Sequence, residues 1–132
     1  MKRKKRTPRK ILIDKLDTLA KTCAKVRDGY ACQKCGLKVE GVNAHGSHVV
    51  PVSHGNNLRW DLLNIKCMCY HHHQWWHLNP LESGIWFKEK FPARDLYLSE
   101  KKHIIKKFSM ADLEELHEKL TEKLEELTQD SW

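Results

Sequence analysis

Two cysteines and four histidines fall within eleven residues, CMCYHHHQWWH from Cys67 to His77, and a second cysteine pair, Cys32 and Cys35, lies upstream in ACQKCG. Thiolate and imidazole at this density are ligand chemistry rather than packing chemistry. They suggest two tasks, one metal that holds the fold and one that takes part in a reaction. A CxxC turn brings two thiolates to one ion, and a tetrahedral site then needs a second pair. Cys67 with Cys69 and Cys69 with His72 are both available. Neighbours two apart on a strand share a face but are held apart, whereas a spacing of three at a helix start converges. The spacing therefore favours zinc on Cys32, Cys35, Cys69 and His72, with Cys67 a buried spare; the Cys67 alternative to His72 stays open. His73 and His77, four apart on one helical face, suit a second ion. His48 lies in a Val-rich stretch before Pro51, and Asn64 opens the segment that leads back to Cys67.

The elements that must position these groups follow from periodicity. Leu12, Leu16, Leu19, Cys23, Val26 and Tyr30 recur at spacings of three and four, which predicts a helix from Ile11 that ends near Asp28-Gly29. Cys23 lies on that stripe and reads as core. Residues 31–41 read as a metal knuckle, 42–52 as an irregular strand, HGNN (54–57) as a loop, and 58–68 as a turn with a return strand, together a hairpin with a long connection. YHHHQWWHL predicts a helix that stops before Asn79-Pro80, and a further helix then runs to about Phe91. Ser99 to Phe108 reads as a short basic helix. Ser109 and Asp112 form a capping box for a last helix with a leucine stripe at 113, 116, 120, 124 and 127. That stripe would pack on the core or form a homodimer.

At 132 residues, with 40% hydrophobic and 31% charged residues, the chain predicts one soluble α+β domain. No apolar run approaches a membrane span, and the start MKRKKRTPRK lacks the apolar region of a signal peptide. Five cysteines without such a signal favour reduced thiols or metal ligands, and so a cytoplasmic location. The formal charge of +7 is uneven: residues 1–10 carry seven Lys/Arg and no acid, residues 110–132 are net −6, and 11–109 are net +6. A basic arm and centre suit nucleic acid. Lys2, Arg3, Lys4, Lys5, Arg6, Arg9 and Lys10, expected to form a disordered arm, are the candidate phosphate contacts, with Arg59 beside the hairpin.

The order of parts resembles the HNH endonucleases. The matching pieces are RDGYACQKCG, then SHVVP, then DLLNIKCMCYHHHQWWH, and the flanks are similar to the phage NinG/Rap recombination nucleases across about residues 16–91. The resemblance implies a zinc-stapled ββα-metal core over 11–92, flanked by an N-terminal helix and a C-terminal helical extension over 93–132. It implies that His48 is the general base, Asn64 the residue that holds the hairpin loop and His73 a metal-binding member of the signature. It further implies a catalytic Mg²⁺ or Mn²⁺ on His73, His77 and His45, and cleavage of duplex or branched DNA in the host cytoplasm if the chain is phage-encoded. Two departures stand out: Ser47 occupies a position where many HNH enzymes have an Asp or His ligand, and His72 replaces a fourth knuckle cysteine. A zinc-dependent DNA-binding protein without catalysis, or a zinc-stabilised interaction module, would need only part of this constellation.

Overall fold

The computed structural model describes residues 5–129. Among them are five α-helices, α1 (Pro8–Arg27), α2 (Tyr70–Leu78), α3 (Pro80–Lys90), α4 (Pro92–Lys101) and α5 (Met110–Gln129), and a two-stranded antiparallel sheet of β1 (His45–His48) and β2 (Ile65–Met68). The class is α+β.

The N-terminal helix begins earlier than its apolar stripe suggests. Thr7 caps it by accepting from the Lys10 amide at 3.1 Å, and Pro8 occupies the first turn. Repulsion among the arm's cations is relieved inside the helix, because Asp14 pairs with both Arg6 and Lys10. The disordered arm expected over 1–10 is thus corrected at Pro8, and its residues Lys2, Arg3 and Lys4 lie outside the described residues. At the other end Asp28 caps α1, and Gly29 turns the chain at a φ of +64°.

The last helix is long and amphipathic, and it lies along α1. Leu113 and Leu120 join Leu16, Ala20, Ala24, Trp60 and Ile65 in the largest buried cluster. Cys23 is fully buried, as its place on the stripe implied, and its thiol meets the Leu120 carbonyl at 3.5 Å. Ser109 and Asp112 form the reciprocal cap, at 2.8 and 3.1 Å.

One expected element is absent. Residues 99–108 are not a basic helix: α4 starts at Pro92, ends at Lys101, and 104–109 carry no regular structure. Four lysines without an acid four residues away, around the β-branched pair Ile104-Ile105, oppose a helix that no apolar face would stabilise.

The hairpin positions the site. His45 pairs with Met68, Gly46 with Cys67, Ser47 with Lys66 and His48 with Ile65. Side chains therefore alternate, so that His45, Ser47, Lys66 and Met68 share one face while His48 and Cys67 lie on the other. Gly46 is required by packing, since a Cβ there would sit 2.7 Å from Lys21 Cγ on α1. Its absence lets α1 lie directly against β1.

Candidate functional site

The knuckle is built by backbone turns. The Gly36 amide donates to the Cys32 carbonyl at 2.8 Å, Gly36 takes a φ of +77°, and a bridge between Ala31 and Lys38 closes the loop. Opposite it, Cys69 caps α2, so that His72 lies one turn on. Cys32, Cys35, Cys69 and His72 offer ligand atoms that all lie within 4.8 Å of one another, and they form the one such group found among the described residues. The separations are 4.0 Å for Cys32 Sγ to His72 Nδ1, 4.0 Å for Cys35 Sγ to Cys69 Sγ, and 3.3 Å for Cys69 Sγ to His72 Nδ1. Four S/N ligands around tetrahedral zinc lie about 3.5–3.8 Å apart, so the donor set and its spacing fit that ion. Burial alone would push the Cys32 thiol up, but amide donors from Cys69, Cys35 and Lys34 hold it below its usual value. Cys67 is the buried spare. It is not one of the converging ligands, and burial pushes its thiol up to about 11.

His45, His73 and His77 stand in a row. His45 Nδ1 is 2.8 Å from His73 Nδ1, and His73 Nε2 is 3.1 Å from His77 Nε2. His45 Nε2 faces the Val42 carbonyl at 2.9 Å, and a carbonyl only accepts. His45 therefore carries its proton on Nε2 and accepts from His73 Nδ1, while His73 Nε2 accepts from His77. His73 is neutral in this pattern. Burial, and then the neighbouring His77 and His45, push His73 down to about 4. Neutral imidazole is the form that binds a metal. His73 meets its two neighbours through opposite ring nitrogens. All three rings do not converge on one point as placed.

Ser47 takes no part in this row. It is fully buried and accepts from Lys66 Nζ at 3.0 Å. Lys66 is itself fully buried and lies 3.4 Å from the centroid of the Trp76 ring. Burial drives its ammonium well below the ordinary lysine range.

His48 is held from the other face of the sheet. Its Nε2 is 2.9 Å from the Arg59 carbonyl, which fixes the proton on Nε2 and leaves the Nδ1 lone pair free. Burial lowers the pKa of the ring. Arg59, expected to face nucleic acid, is instead turned onto Asp17 of α1 with two bonds of 2.8 Å, and Trp60 Nε1 donates to the same carboxylate at 2.8 Å. Asn64 joins both arms of the hairpin connection and is fully buried. It accepts from the Val50 amide at 2.7 Å and donates to the Val50 and Leu58 carbonyls at 3.0 Å each. Among the other expected phosphate contacts, Arg6 and Lys10 meet Asp14, Arg9 reaches the Phe108 carbonyl, and Lys5 is exposed.

Lys21 and Lys25 were not singled out by the sequence, where they sit on the polar side of α1. They line an open cleft of about 260 Å³ with His45, Gly46 and His73. Their spacing of four, one turn apart beside a Gly46 that admits the helix, is the signal that could have found them.

No family model, curated protein or solved structure matches the chain.

Proposed function

We propose that the chain is a metal-dependent DNA endonuclease that hydrolyses phosphodiester bonds with His48 as general base, on duplex DNA or on branched recombination intermediates such as Holliday junctions and D-loops. The observation that carries this reading is the fixed tautomer of His48: a partly buried, neutral imidazole with its Nδ1 lone pair unspent, at the end of a hairpin whose following helix bears His73 and His77. This is the order of parts that an HNH core would have.

In the proposed reaction His48 Nδ1 removes a proton from a water molecule as the oxygen attacks phosphorus. The P–O3′ bond breaks, and the departing oxygen takes up a proton. The Arg59 carbonyl keeps the imidazole oriented and stabilises the imidazolium that forms. Lys21 and Lys25 hold phosphate oxygens at the cleft. Asn64 keeps the connection that carries Arg59 against the strand that carries His48. A divalent Mg²⁺ or Mn²⁺ held by His73 with His45 or His77 would neutralise the phosphate and the leaving oxygen.

Asp17 is a positioning residue in this scheme, since its bonds to Arg59 hold the residue whose carbonyl orients His48. The Cys32–Cys35–Cys69–His72 set is assigned to structural zinc, which ties the knuckle to the start of α2.

A zinc-dependent DNA-binding protein without catalysis is the second reading, favoured by one fact: the Cys₃His set is the one convergent metal group among the described residues. Incubation of the purified protein with plasmid and with a four-way oligonucleotide junction, with and without added Mg²⁺ or Mn²⁺, separates the two. Metal-dependent cleavage supports the endonuclease. Binding without cleavage under every metal supports the second reading.

A further inference from the structure

The segment from Lys101 to Lys107, KKHIIKK, lies outside the histidine cluster and outside every role assigned above. All seven side chains are exposed. Ile105 is 92% and Ile104 50% exposed, an adjacent aliphatic pair with two lysines on either side. No ion pair found among the described residues involves Lys101, Lys102, Lys106 or Lys107. Single exposed aliphatic residues are ordinary, but a pair at the crest of a cationic loop is not.

The loop is fixed at both roots. The Lys101 carbonyl accepts from the Ile104 amide at 3.0 Å and from Asn57 Nδ2 at 2.7 Å. At the far end the Phe108 carbonyl accepts from Arg9, and the Phe108 ring packs edge-on against Trp60 at 5.2 Å. Residues 102–107 are therefore tied to the body of the fold at both ends. The first of these ties reaches the connection that orients His48. Asn57 belongs to the same connection as Arg59, whose carbonyl holds the His48 ring. The two loops, 54–57 and 102–106, face each other across a polar cleft of about 350 Å³.

We infer that this loop is a DNA wedge: Ile105, backed by Ile104, enters a base step of duplex DNA while the flanking lysines hold the phosphates on either side. Lysine supplies attraction without sequence preference. An aliphatic side chain that enters the stack partly unstacks one step and kinks the duplex, and it does so most readily where stacking is already weak. The ligand class is therefore duplex DNA with an opened or easily opened step, such as a mismatch, a bulge or the branch point of a junction. An anionic lipid surface would also attract lysines and isoleucines, and it is an outcome of the test. The inference rests on the nuclease reading only for the choice of DNA as ligand.

The test uses the full chain, end-labelled duplexes for energy transfer, and two variants, Ile104→Ser/Ile105→Ser and Lys102→Gln/Lys106→Gln. Both sets of side chains are exposed, so both proteins should fold, and an unchanged melting curve checks this. With no Mg²⁺ or Mn²⁺ added, the wild type should bend an intact duplex by about 20–90°. The isoleucine variant should still bind but lose the bend, and regain it on a duplex that carries a two-nucleotide bulge. The lysine variant should bind more weakly, with its salt slope reduced by about 0.9 for each phosphate it no longer neutralises. An isoleucine variant that bends the intact duplex as the wild type does overturns the wedge. So does a loop whose substitution weakens binding to anionic vesicles but not to DNA. Cleavage with Mn²⁺, run in parallel, separates the two proposals. Bending by a wild type that cuts nothing overturns the nuclease and leaves the wedge. Cleavage and bending that are both indifferent to Ile104 and Ile105 overturn the wedge and leave the nuclease.

Discussion

The imidazole of His48 and the main-chain carbonyl of Arg59 lie 2.9 Å apart, and that contact fixes which ring nitrogen is free. A carbonyl cannot donate, so Nε2 must carry the proton and Nδ1 must carry the lone pair. The carbonyl is itself held, because the Arg59 side chain is anchored to Asp17 on α1. Helix, connection and strand thus form one support for a single lone pair.

Asp17→Asn should loosen that support without touching the reacting groups. It removes a charge-assisted pair with Arg59, an interaction worth about 1.5–3 kcal/mol. We expect a folded protein of lower melting temperature, with slower cleavage at saturating DNA and little change in affinity. Equal rates in the variant and the wild type would separate Asp17 from the orientation of His48.

Asn64→Ala would leave the Val50 amide and the Val50 and Leu58 carbonyls short of a partner inside the hairpin connection. A buried group left unsatisfied costs about 1–3 kcal/mol. Denaturant unfolding should show a loss of at least that size, and Asn64→Asp, which keeps the acceptor for Val50, should lose less than Asn64→Ala if the acceptor is the main contribution. A melting curve identical to the wild type's would show that the connection is held by other interactions.

The zinc and histidine sites should respond separately. Cys35→Ser should release zinc and unfold the knuckle, since a structural zinc contributes on the order of 10 kcal/mol to folding. His73→Ala should retain zinc and fold while activity is abolished. Metal analysis with circular dichroism checks both variants, and a folded wild type free of zinc would refute the structural assignment.

The pH dependence follows from the same burial. Burial, the larger influence, lowers His48 below the ordinary 6.5 despite the opposing bond to Arg59. The base works when neutral, so cleavage should hold level from neutral pH down through 6.5 and fall only below it. His73 sits at about 4 when folded against an ordinary 6.5. A depressed value makes the unfolded chain the better proton acceptor, so this stability is present above 6.5 and is lost as pH falls from there toward 4. An acid limb in the pH–rate profile centred above 6.5 would contradict the burial of His48.

Much of this was legible in the sequence because the signals are local. The CxxC turn, the Cys69–His72 spacing, the Gly29 stop and the Ser109–Asp112 cap each depend on residues a few positions apart. The support of His48 was not legible, because its partner is a carbonyl that every residue possesses. Nothing in the sequence marks Lys66, whose burial beside Trp76 depends on the approach of α2. The helix starts at Thr7-Pro8 rather than near Ile11 because Asp14, one turn on from Lys10, offsets the repulsion among the arm's cations. The basic helix expected over 99–108 is replaced by the end of α4 at Lys101, since the segment beyond has no apolar face to bury.

Single-turnover cleavage of a labelled duplex, with protein in excess, Mn²⁺ present and zinc content measured on the same samples, compares wild type with His48→Ala most directly. Loss of a general base costs about 10²–10⁴-fold. The expected result is a fall of that size in the His48→Ala rate, with zinc content, melting temperature and DNA affinity unchanged. A His48→Ala protein that cuts at close to the wild-type rate would contradict His48 as the base.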